Sequence, residues 1–386
     1  MSIEKENKLP LFISGQGVLL FTTKEKEIVF SIKNNDKNKL FIKFNEKRVV
    51  VFNENTKEIY NDIKNNKGLI NNDDAFYWFS LDSQNQILRA GIGEARLDTM
   101  IYEYKFNYIQ KSEEYEKNKK YLESLNMLEY NNDIQIIRLL INPIVDSVPL
   151  KVKNTNELTM IDVAENKYLP HSGLSTIAQK LYECISGERF ILNDDDFPDF
   201  SKAIEYSIKT PGCWCHEKLK GKSTEFNPSK PNINETYLRI TLGKNSGDSP
   251  GIPYVLEIWP PYHFSPIHSH AKTDAIIRVL HGEINVKLFP FLSKKEIDPF
   301  GIEVFEKDEI TWISPKLNQI HQLINKNEDH TCITIQCYMY GEKNRIHYDY
   351  FDYVNEDGEL EQYEPDSDMG FVEFKLLMKK EWLNKK

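Results

Sequence analysis

Short segments rich in β-branched and aromatic residues, separated by polar turns, lie at both ends of this 386-residue chain. Such segments form strands, because branched and aromatic side chains pack well on a pleated surface. Before residue 106 they occupy residues 18–22, 27–32, 40–44, 48–52 and 75–80. The pattern predicts an N-terminal all-β, sandwich-like domain over residues 1–110, within a mainly β protein.

The aromatic segment 76–82 and the glycine-containing segment 87–93 predict a β-hairpin. Glycine has no side chain, so Gly91 and Gly93 allow a neighbouring group to approach the backbone closely. Large aromatic residues are usually buried, so Tyr77 and Trp78 are expected in the core and not on a ligand-binding surface.

The middle of the chain differs from the N-terminal strands in its residue pattern. A charged stretch with a tyrosine and leucine spine predicts a solvated helix over residues 111–129, and an apolar run predicts a buried strand over residues 136–141. Residues 151–170 are polar and predict a link. We therefore expect a helical and extended linker region over residues 111–165, with the domain boundary near residue 165.

The C-terminal domain, residues 166–386, is expected to be a β-barrel preceded by two helices. Apolar spacing with capping residues predicts amphipathic helices within residues 172–187 and 194–208. Seven strands follow, predicted at residues 237–242, 254–259, 275–280, 283–289, 302–305, 320–324 and 331–338. This many short strands with turn signals between them predicts a barrel or jelly roll.

Composition limits the partners. The net charge is −10 and the sequence pI is about 5.5, which argues against a nucleic-acid surface. No apolar run is long enough to span a membrane and the N-terminus lacks a signal-like apolar segment, so a cytoplasmic location is expected. Five cysteines are a sparse, odd set, which predicts reduced thiols.

A metal site is predicted in the second domain. His268 and His270 are one residue apart in a β-rich segment, so both project to the same side of a strand. His321, which follows a turn containing Asn318, is the expected third ligand, because distant jelly-roll strands lie side by side. Three neutral imidazoles would suit divalent iron, manganese or zinc and would leave coordination positions open.

The residues around these histidines resemble the cysteine dioxygenase family of thiol dioxygenases, within the cupin superfamily. The resemblance covers about residues 170–350 and rests on the segments 259–270 and 280–284, on residues 237–239, and on His321 and Tyr338. It implies a cupin jelly-roll β-barrel. It also implies that His268, His270 and His321 bind Fe(II).

The resemblance assigns further roles. Arg239 matches the arginine that holds the substrate carboxylate, and an arginine fork suits a planar carboxylate. Tyr237 matches a neighbouring tyrosine, and Tyr338 matches the tyrosine that faces the substrate and O2. The implied reaction adds O2 to the sulfur of L-cysteine, or of a close thiol carboxylate such as 3-mercaptopropionate, to give a sulfinate. That chemistry belongs to cysteine catabolism and taurine biosynthesis.

Three positions depart from the family pattern, and a fourth adjoins the motif. Ala275 occupies the position of a cysteine that cross-links to the active-site tyrosine in animal members, and of a metal-binding glutamate in ordinary cupins. We therefore expect neither a thioether bridge nor a fourth ligand there. Thr334 and Gln336 replace a serine and a histidine around the substrate, and glutamine cannot titrate as histidine does. His263 is expected to be a hydrogen-bonded histidine beside the site.

Two other functions stay open at this point. The chain could be a non-catalytic metal-binding sensor that recruits a protein or ligand partner through its N-terminal domain, or a cupin isomerase or hydrolase that uses another metal. Cys213, Cys215 and His216 have the composition of a metal knuckle but lack a second pair, so surface or packing cysteines are expected instead.

Overall fold

The computed structural model describes residues 7–34, 39–53, 58–61, 66–106, 112–131, 134–242, 254–270, 272–340 and 351–385. The chain divides into two compact units, Met1–Ser147 and Val148–Lys386. This division differs from the predicted boundary near residue 165. The reason is that residues 151–153 and 168–170, expected in a link, are strands of the second unit.

The first unit consists of two antiparallel sheets and one helix. Its elements are β1 (Asn7–Pro10), β2 (Gln16–Thr23), β3 (Glu27–Lys33), β4 (Lys39–Asn45), β5 (Val49–Asn53), β6 (Glu58–Tyr60), β7 (Tyr77–Asp82), β8 (Ile87–Ile92), the 3-10 helix Leu97–Thr99, β9 (Met100–Lys105), α1 (Glu113–Glu123), β10 (Met127–Tyr130) and β11 (Ile134–Leu140). The strand orders are β1-β10-β3-β4-β5-β6 and β11-β2-β7-β8-β9.

Aromatic side chains from both sheets form the core between them. In β3 and β4 alternate residues are buried, as the period of two in a strand requires. Phe21 of the second sheet contacts Phe30 and Phe44 of the first, with ring centroids 4.7 and 5.2 Å apart. Tyr77 and Trp78 are fully buried, as the sequence predicts. The unit is therefore a β-sandwich with a helix inserted after β9.

The predicted helix over residues 111–129 is too long. Helix α1 ends at Glu123, and residues 127–130 form strand β10 between β1 and β3. Leu128 is fully buried in that strand. The leucines that look like one helical spine in the sequence thus belong to two elements.

Gly91 of β8 lies against the indole of Trp78, and this contact leads to a testable stability prediction. A Cβ atom at Gly91 would stand 2.2 Å from Trp78 Cε2. Because Trp78 is fully buried and its Nε1 donates to Thr99 Oγ1 at 3.1 Å, the ring cannot move aside freely. We expect Gly91→Ala to destabilise the first unit by about 2 kcal/mol, a typical overpacking cost, measured by urea unfolding.

The control for that measurement is Gly301→Ala, where nothing lies within 4 Å of the added methyl group. Unchanged stability in Gly91→Ala would show that the indole has room to shift.

The second unit is a β-barrel with helices. Its elements are β12 (Lys151–Lys153), the 3-10 helix Thr155–Glu157, α2 (Met160–Ala164), β13 (Tyr168–Pro170), the 3-10 helix His171–Gly173, α3 (Thr176–Ile185), α4 (Phe200–Lys209), α5 (Trp214–Gly221), β14 (Leu238–Leu242), β15 (Tyr254–Trp259), β16 (Ile267–Ser269), β17 (Asp274–His281), β18 (Ile284–Leu288), β19 (Gly301–Phe305), β20 (Ile310–Ile313), β21 (Ile320–Ile324), β22 (Cys332–Met339), β23 (Phe351–Val354), β24 (Leu360–Tyr363), β25 (Met369–Gly370) and α6 (Phe371–Leu383).

These strands form two sheets, ordered β13-β12-β20-β17-β22-β15-β14-β25 and β19-β18-β21-β16-β23-β24. From β15 to β22 the chain passes back and forth between the sheets, except at the hairpin of β18 and β19. That is the arrangement of a jelly roll. Residues of both sheets share one core, including Trp259, Val279, Val286 and Leu323. Six of the predicted site residues lie on strands β14, β16, β21 and β22: Arg239, His268, His321, Thr334, Gln336 and Tyr338.

The helices cover the outer face of the eight-stranded sheet. Four α-helices of the second unit, α2 to α5, precede β14 in the described part of the chain, where the sequence predicts two. The short helices α2 and α5 were not predicted. The C-terminal helix α6 packs on α4, with Phe374 5.9 Å from Phe200 between ring centroids and both side chains fully buried. Cys215 is buried beside Met378, so it is a packing cysteine as expected. All five cysteines are free thiols.

In the described part of the chain, no helix is both long enough and apolar enough to cross a membrane.

A buried carboxyl group beside β14 gives the second unit a pH-dependent weakness. Glu235 is 6% exposed, and burial, helped by the nearby charge of Glu356, raises its pKa to about 7. A raised folded-state pKa means that the protonated group is favoured in the fold. The stability that protonated Glu235 contributes to the fold is fully present below the ordinary pKa of 4.5. It is lost as the pH rises through about 7.

We therefore expect Glu235→Gln to stabilise the protein by about 3 kcal/mol at pH 8, since one pKa unit corresponds to about 1.4 kcal/mol. At pH 4.5 the variant and the parent should unfold at the same urea concentration. The control is Glu373→Gln, an exposed residue of α6. If Glu235→Gln stabilised the protein equally at both pH values, ionisation of the buried carboxyl would not be the cause.

Candidate metal centre

Three histidines meet inside the barrel. His268 lies on β16 and is paired in register with His321 on β21, so the two side chains are cross-strand neighbours. His270 directly follows β16, and its backbone N–H donates to Gln319 O at 3.2 Å. The nearest ligand atoms of the three residues all lie within 4.8 Å of one another. The structure thus brings together the three histidines singled out in the sequence.

Backbone carbonyls fix the tautomer of two of these rings. His268 Nδ1 lies 3.0 Å from Pro266 O, and His321 Nδ1 lies 3.2 Å from Asn318 O. A carbonyl only accepts, so each Nδ1 must carry the proton, and each Nε2 is left with a free lone pair. His268 Nε2 is 3.0 Å from His270 Nε2. Asn318 has a left-handed backbone with φ of 64°, as its position in the turn suggested.

Burial keeps the three imidazoles neutral. It lowers the pKa of His268 and His270 well below the ordinary value, with neighbouring histidines adding to the effect, and lowers the pKa of His321 to about 4. Neutral imidazole is the form that binds a metal. At neutral pH the three rings therefore present ligand atoms and not positive charges.

Aromatic rings enclose the histidines. The Tyr338 ring stacks on His270 with centroids 5.8 Å apart, and Phe351 lies 4.8 Å from His268. Tyr338 is 6% exposed, and its register partner on β17 is Ala275, which is fully buried. The alanine has no group that could cross-link to the tyrosine or bind a metal. Both absences expected at position 275 follow directly from the residue type.

The opposite wall of the barrel interior is apolar. A cavity there ends at His321 and is lined by Ile277, Val279, Ile284, Phe305 and Leu323, among others. The histidines therefore lie between an apolar wall from β17, β18 and β21 and a polar wall from β14, β15 and β22.

The polar wall is a continuous hydrogen-bond network. Arg239 Nη1 donates to Glu257 Oε1 at 2.6 Å, across the register pair that joins β14 to β15. Glu257 Oε2 accepts from Gln336 Nε2, and Gln336 Oε1 accepts from the Tyr338 hydroxyl. Thr334 Oγ1 lies 3.4 Å from Gln336 Nε2. Arg239, Gln336, Thr334 and Tyr338, all predicted site residues, are thus linked through one carboxylate.

Glu257 is the site residue that the sequence prediction missed. It is 4% exposed, and burial raises the pKa of its carboxyl, while the Arg239 guanidinium opposes that rise. The only signal in the sequence is a single glutamate in an otherwise apolar strand, Tyr254–Trp259. A buried charge is almost always paired, so this glutamate required a cationic partner.

Tyr237 and His263 lie further from the triad. The Tyr237 ring stacks on Trp259 with centroids 4.3 Å apart, and burial raises the pKa of its hydroxyl well above the ordinary value, while the nearby charge of Arg239 opposes that rise. His263 Nδ1 lies 2.9 Å from Thr236 O, so this histidine is tied to the start of β14 and not to the three histidines. It is a hydrogen-bonded histidine, as predicted, and its ring contacts Thr236.

No family model matches the chain. Several solved structures that it resembles are cupin proteins. A cupin domain of an XRE family transcriptional regulator from Enterobacter cloacae is 12% identical, over 28% of this chain and 98% of that one, with a TM-score of 0.22. An oxalate oxidase in complex with glycolate is 16% identical, over 29% of this chain and 53% of that one, with a TM-score of 0.22.

A sugar phosphate isomerase of the cupin superfamily from Silicibacter pomeroyi is 14% identical, over 31% of this chain and 70% of that one, with a TM-score of 0.20.

Proposed function

We propose that the second unit is an Fe(II)-dependent thiol dioxygenase, which adds both atoms of O2 to the sulfur of a small thiol. The observation that carries the proposal is the convergence of three buried, neutral imidazoles beside the Tyr338 ring. L-cysteine and 3-mercaptopropionate are the substrates implied by the family resemblance.

The donor set fits a divalent transition metal. His268, His270 and His321 supply three neutral nitrogen ligands and no negative charge, and Ala275 provides no fourth ligand. Iron, manganese and zinc all accept imidazole, and a three-ligand site leaves positions open for other molecules. When bound, Fe(II) would supply those positions, together with the redox chemistry that the reaction needs.

The reaction balances without a reductant. A thiol R–SH and one O2 give the sulfinic acid R–SO2H: the S–H proton ends on a product oxygen, two S–O bonds form, and the O–O bond breaks. Sulfur loses four electrons, which is the number that O2 takes up. The cavity that ends at His321 has a mainly apolar lining, which offers few hydrogen-bond partners to water.

Tyr338 contributes a fixed hydroxyl group and not a base. Burial raises its pKa well above the ordinary value, so the phenol stays protonated at neutral pH. Its proton is donated to Gln336 Oε1. Gln336 does not titrate, so this pair holds a proton in place but cannot carry one to solvent.

The test combines metal analysis with product detection. Freshly purified protein is analysed for its metal, loaded anaerobically with Fe(II), and mixed with L-cysteine, 3-mercaptopropionate or cysteamine in an oxygen electrode. We expect one O2 consumed per sulfinate detected by mass spectrometry with at least one thiol. Iron-loaded protein that consumes no O2 with any of the three would contradict the proposal.

A second candidate is a non-catalytic metal-binding protein. Gln336, which interrupts proton transfer beside Tyr338, and the separate β-sandwich of Met1–Ser147 favour it. In that case the protein would bind about one metal per chain and form no sulfinate, and a partner would bind the first unit. The same metal and product measurements separate the two candidates.

A further inference from the structure

We infer that Glu257 is a specificity-determining residue that directs the site to thiols without a carboxylate, such as aminothiols or neutral thiols. This inference rests on the proposed function and narrows its substrate class. It departs from the role predicted for Arg239, which was to hold a substrate carboxylate.

The first step is that the Arg239 guanidinium is already paired with a carboxylate. Arg239 Nη1 donates to Glu257 Oε1 at 2.6 Å, and the side chains of the two residues are only 11% and 6% exposed. The cation is therefore already neutralised inside the protein, by a carboxylate that belongs to the chain.

The second step is repulsion. A substrate carboxylate placed on the same guanidinium would share it with Glu257, and like charges within about 4–6 Å disfavour each other's ionised form. Glu257 cannot swing away, because its Oε2 accepts from Gln336 Nε2 and its backbone lies between β14 and β22. A carboxylate thus gains little from Arg239 and is repelled by Glu257.

The third step concerns which atoms of Gln336, Tyr338 and Arg239 donate hydrogen bonds and which accept them. Glu257 accepts from the amide of Gln336, which turns Gln336 Oε1 toward Tyr338, and the Tyr338 hydroxyl donates to it. The phenol oxygen therefore presents lone pairs beside His270, which suit a donor such as an ammonium group. Arg239 Nε has no hydrogen-bond partner among the described residues, so it can donate one bond to a neutral acceptor.

These three steps predict which thiols bind most tightly. A thiol with an amide or hydroxyl group fits a polar wall of zero net charge, and an ammonium group finds acceptors there in the Tyr338 oxygen and the Glu257 carboxylate. A thiol carboxylate instead brings a second negative charge beside Glu257. Glu257 imposes this preference through Arg239 and Gln336, so it acts as a positioning residue.

Ligand binding to Co(II)-loaded protein tests the inference, because a thiolate bound to Co(II) gives a charge-transfer absorption without turnover. The matched probes are 3-mercaptopropionate and 3-mercaptopropionamide, which have the same size and differ in charge; cysteamine is the third. In the wild-type protein we expect the amide and cysteamine to bind at least tenfold more tightly than the carboxylate. A carboxylate that binds as tightly as the amide, or more tightly, would overturn the inference and leave the proposed function standing.

The variant Glu257→Gln removes the negative charge and keeps the shape. We expect its preference to shift toward 3-mercaptopropionate by at least tenfold relative to the amide, because Arg239 is then an uncompensated cation. An unchanged ratio in the folded variant would overturn the role of Glu257. If Glu257→Gln does not fold, the affinities of the wild-type protein for the three thiols test the inference alone. Absence of a charge-transfer band with every thiol would overturn the proposed function and this inference together.

Discussion

His321→Ala is expected to abolish stoichiometric metal binding and, with it, any thiol oxidation. His321 is the predicted ligand from a second strand, because β21 pairs with the strand of His268. Even changing the outer partners of metal ligands typically costs 10–100-fold in affinity. Loss of one of three ligands should therefore weaken binding by at least about 100-fold, measured by competition with a chromophoric chelator.

The matched control is His281→Gln. His281 lies on β17 in the same unit, and its Nε2 is 3.4 Å from Glu205 Oε1, away from the three histidines. We expect this variant to bind metal as the parent does. Circular dichroism and thermal unfolding of both variants exclude misfolding as the cause. Full metal occupancy in folded His321→Ala would show that the metal, if bound, lies elsewhere.

Much of the fold could be predicted from the sequence because the signals are local. In strands such as β3 and β4 a period of two marks the buried face. Helix α3 lies within its predicted segment, and α4 ends within one residue of its predicted end, although it begins only at Phe200. The sequence failed where an element depends on distant partners. Residues 151–153 look like a polar link, yet they pair with β20 more than 150 residues later in the chain.

In the site, too, local features could be predicted, and contacts between distant residues could not. His268 and His270 could be paired because strand geometry alone puts them on one side, and the turn at Asn318 correctly pointed to His321. The partner of Arg239 could not be predicted, because the register of β14 against β15 decides it: Arg239 stands directly opposite Glu257. A single register shift would place the two side chains on opposite faces of the sheet.

The buried pair of Arg239 and Glu257 is expected to produce the largest stability effect in the protein. Removing one partner of a buried ion pair leaves an uncompensated charge and typically costs about 3–5 kcal/mol. Arg239 is 9% exposed and Glu257 is 4% exposed, so solvent cannot replace the lost partner. We expect Arg239→Met to lose about that much stability at pH 8, measured by urea unfolding of metal-free protein.

The double variant Arg239→Met/Glu257→Leu is the control, because apolar replacement of both partners is often close to neutral. It leaves Gln336 Nε2 without its acceptor, which costs about 1–3 kcal/mol. The double variant should therefore be more stable than the single variant, by about 2 kcal/mol. A double variant less stable than Arg239→Met would show that packing, and not charge, dominates this part of the barrel.

The pH dependence of Arg239→Met separates charge from packing in a second way. Burial raises the pKa of Glu257 above its ordinary value of 4.5, and the guanidinium opposes this rise, so its removal raises the pKa further. Below pH 4.5 the carboxyl is protonated in the folded and the unfolded variant, and the penalty is absent. As the pH rises, only the unfolded variant ionises freely, which favours unfolding. The stability gap between Arg239→Met and the parent should therefore be small at pH 4.5 and widen toward pH 8, whereas a packing defect alone would give the same gap at both.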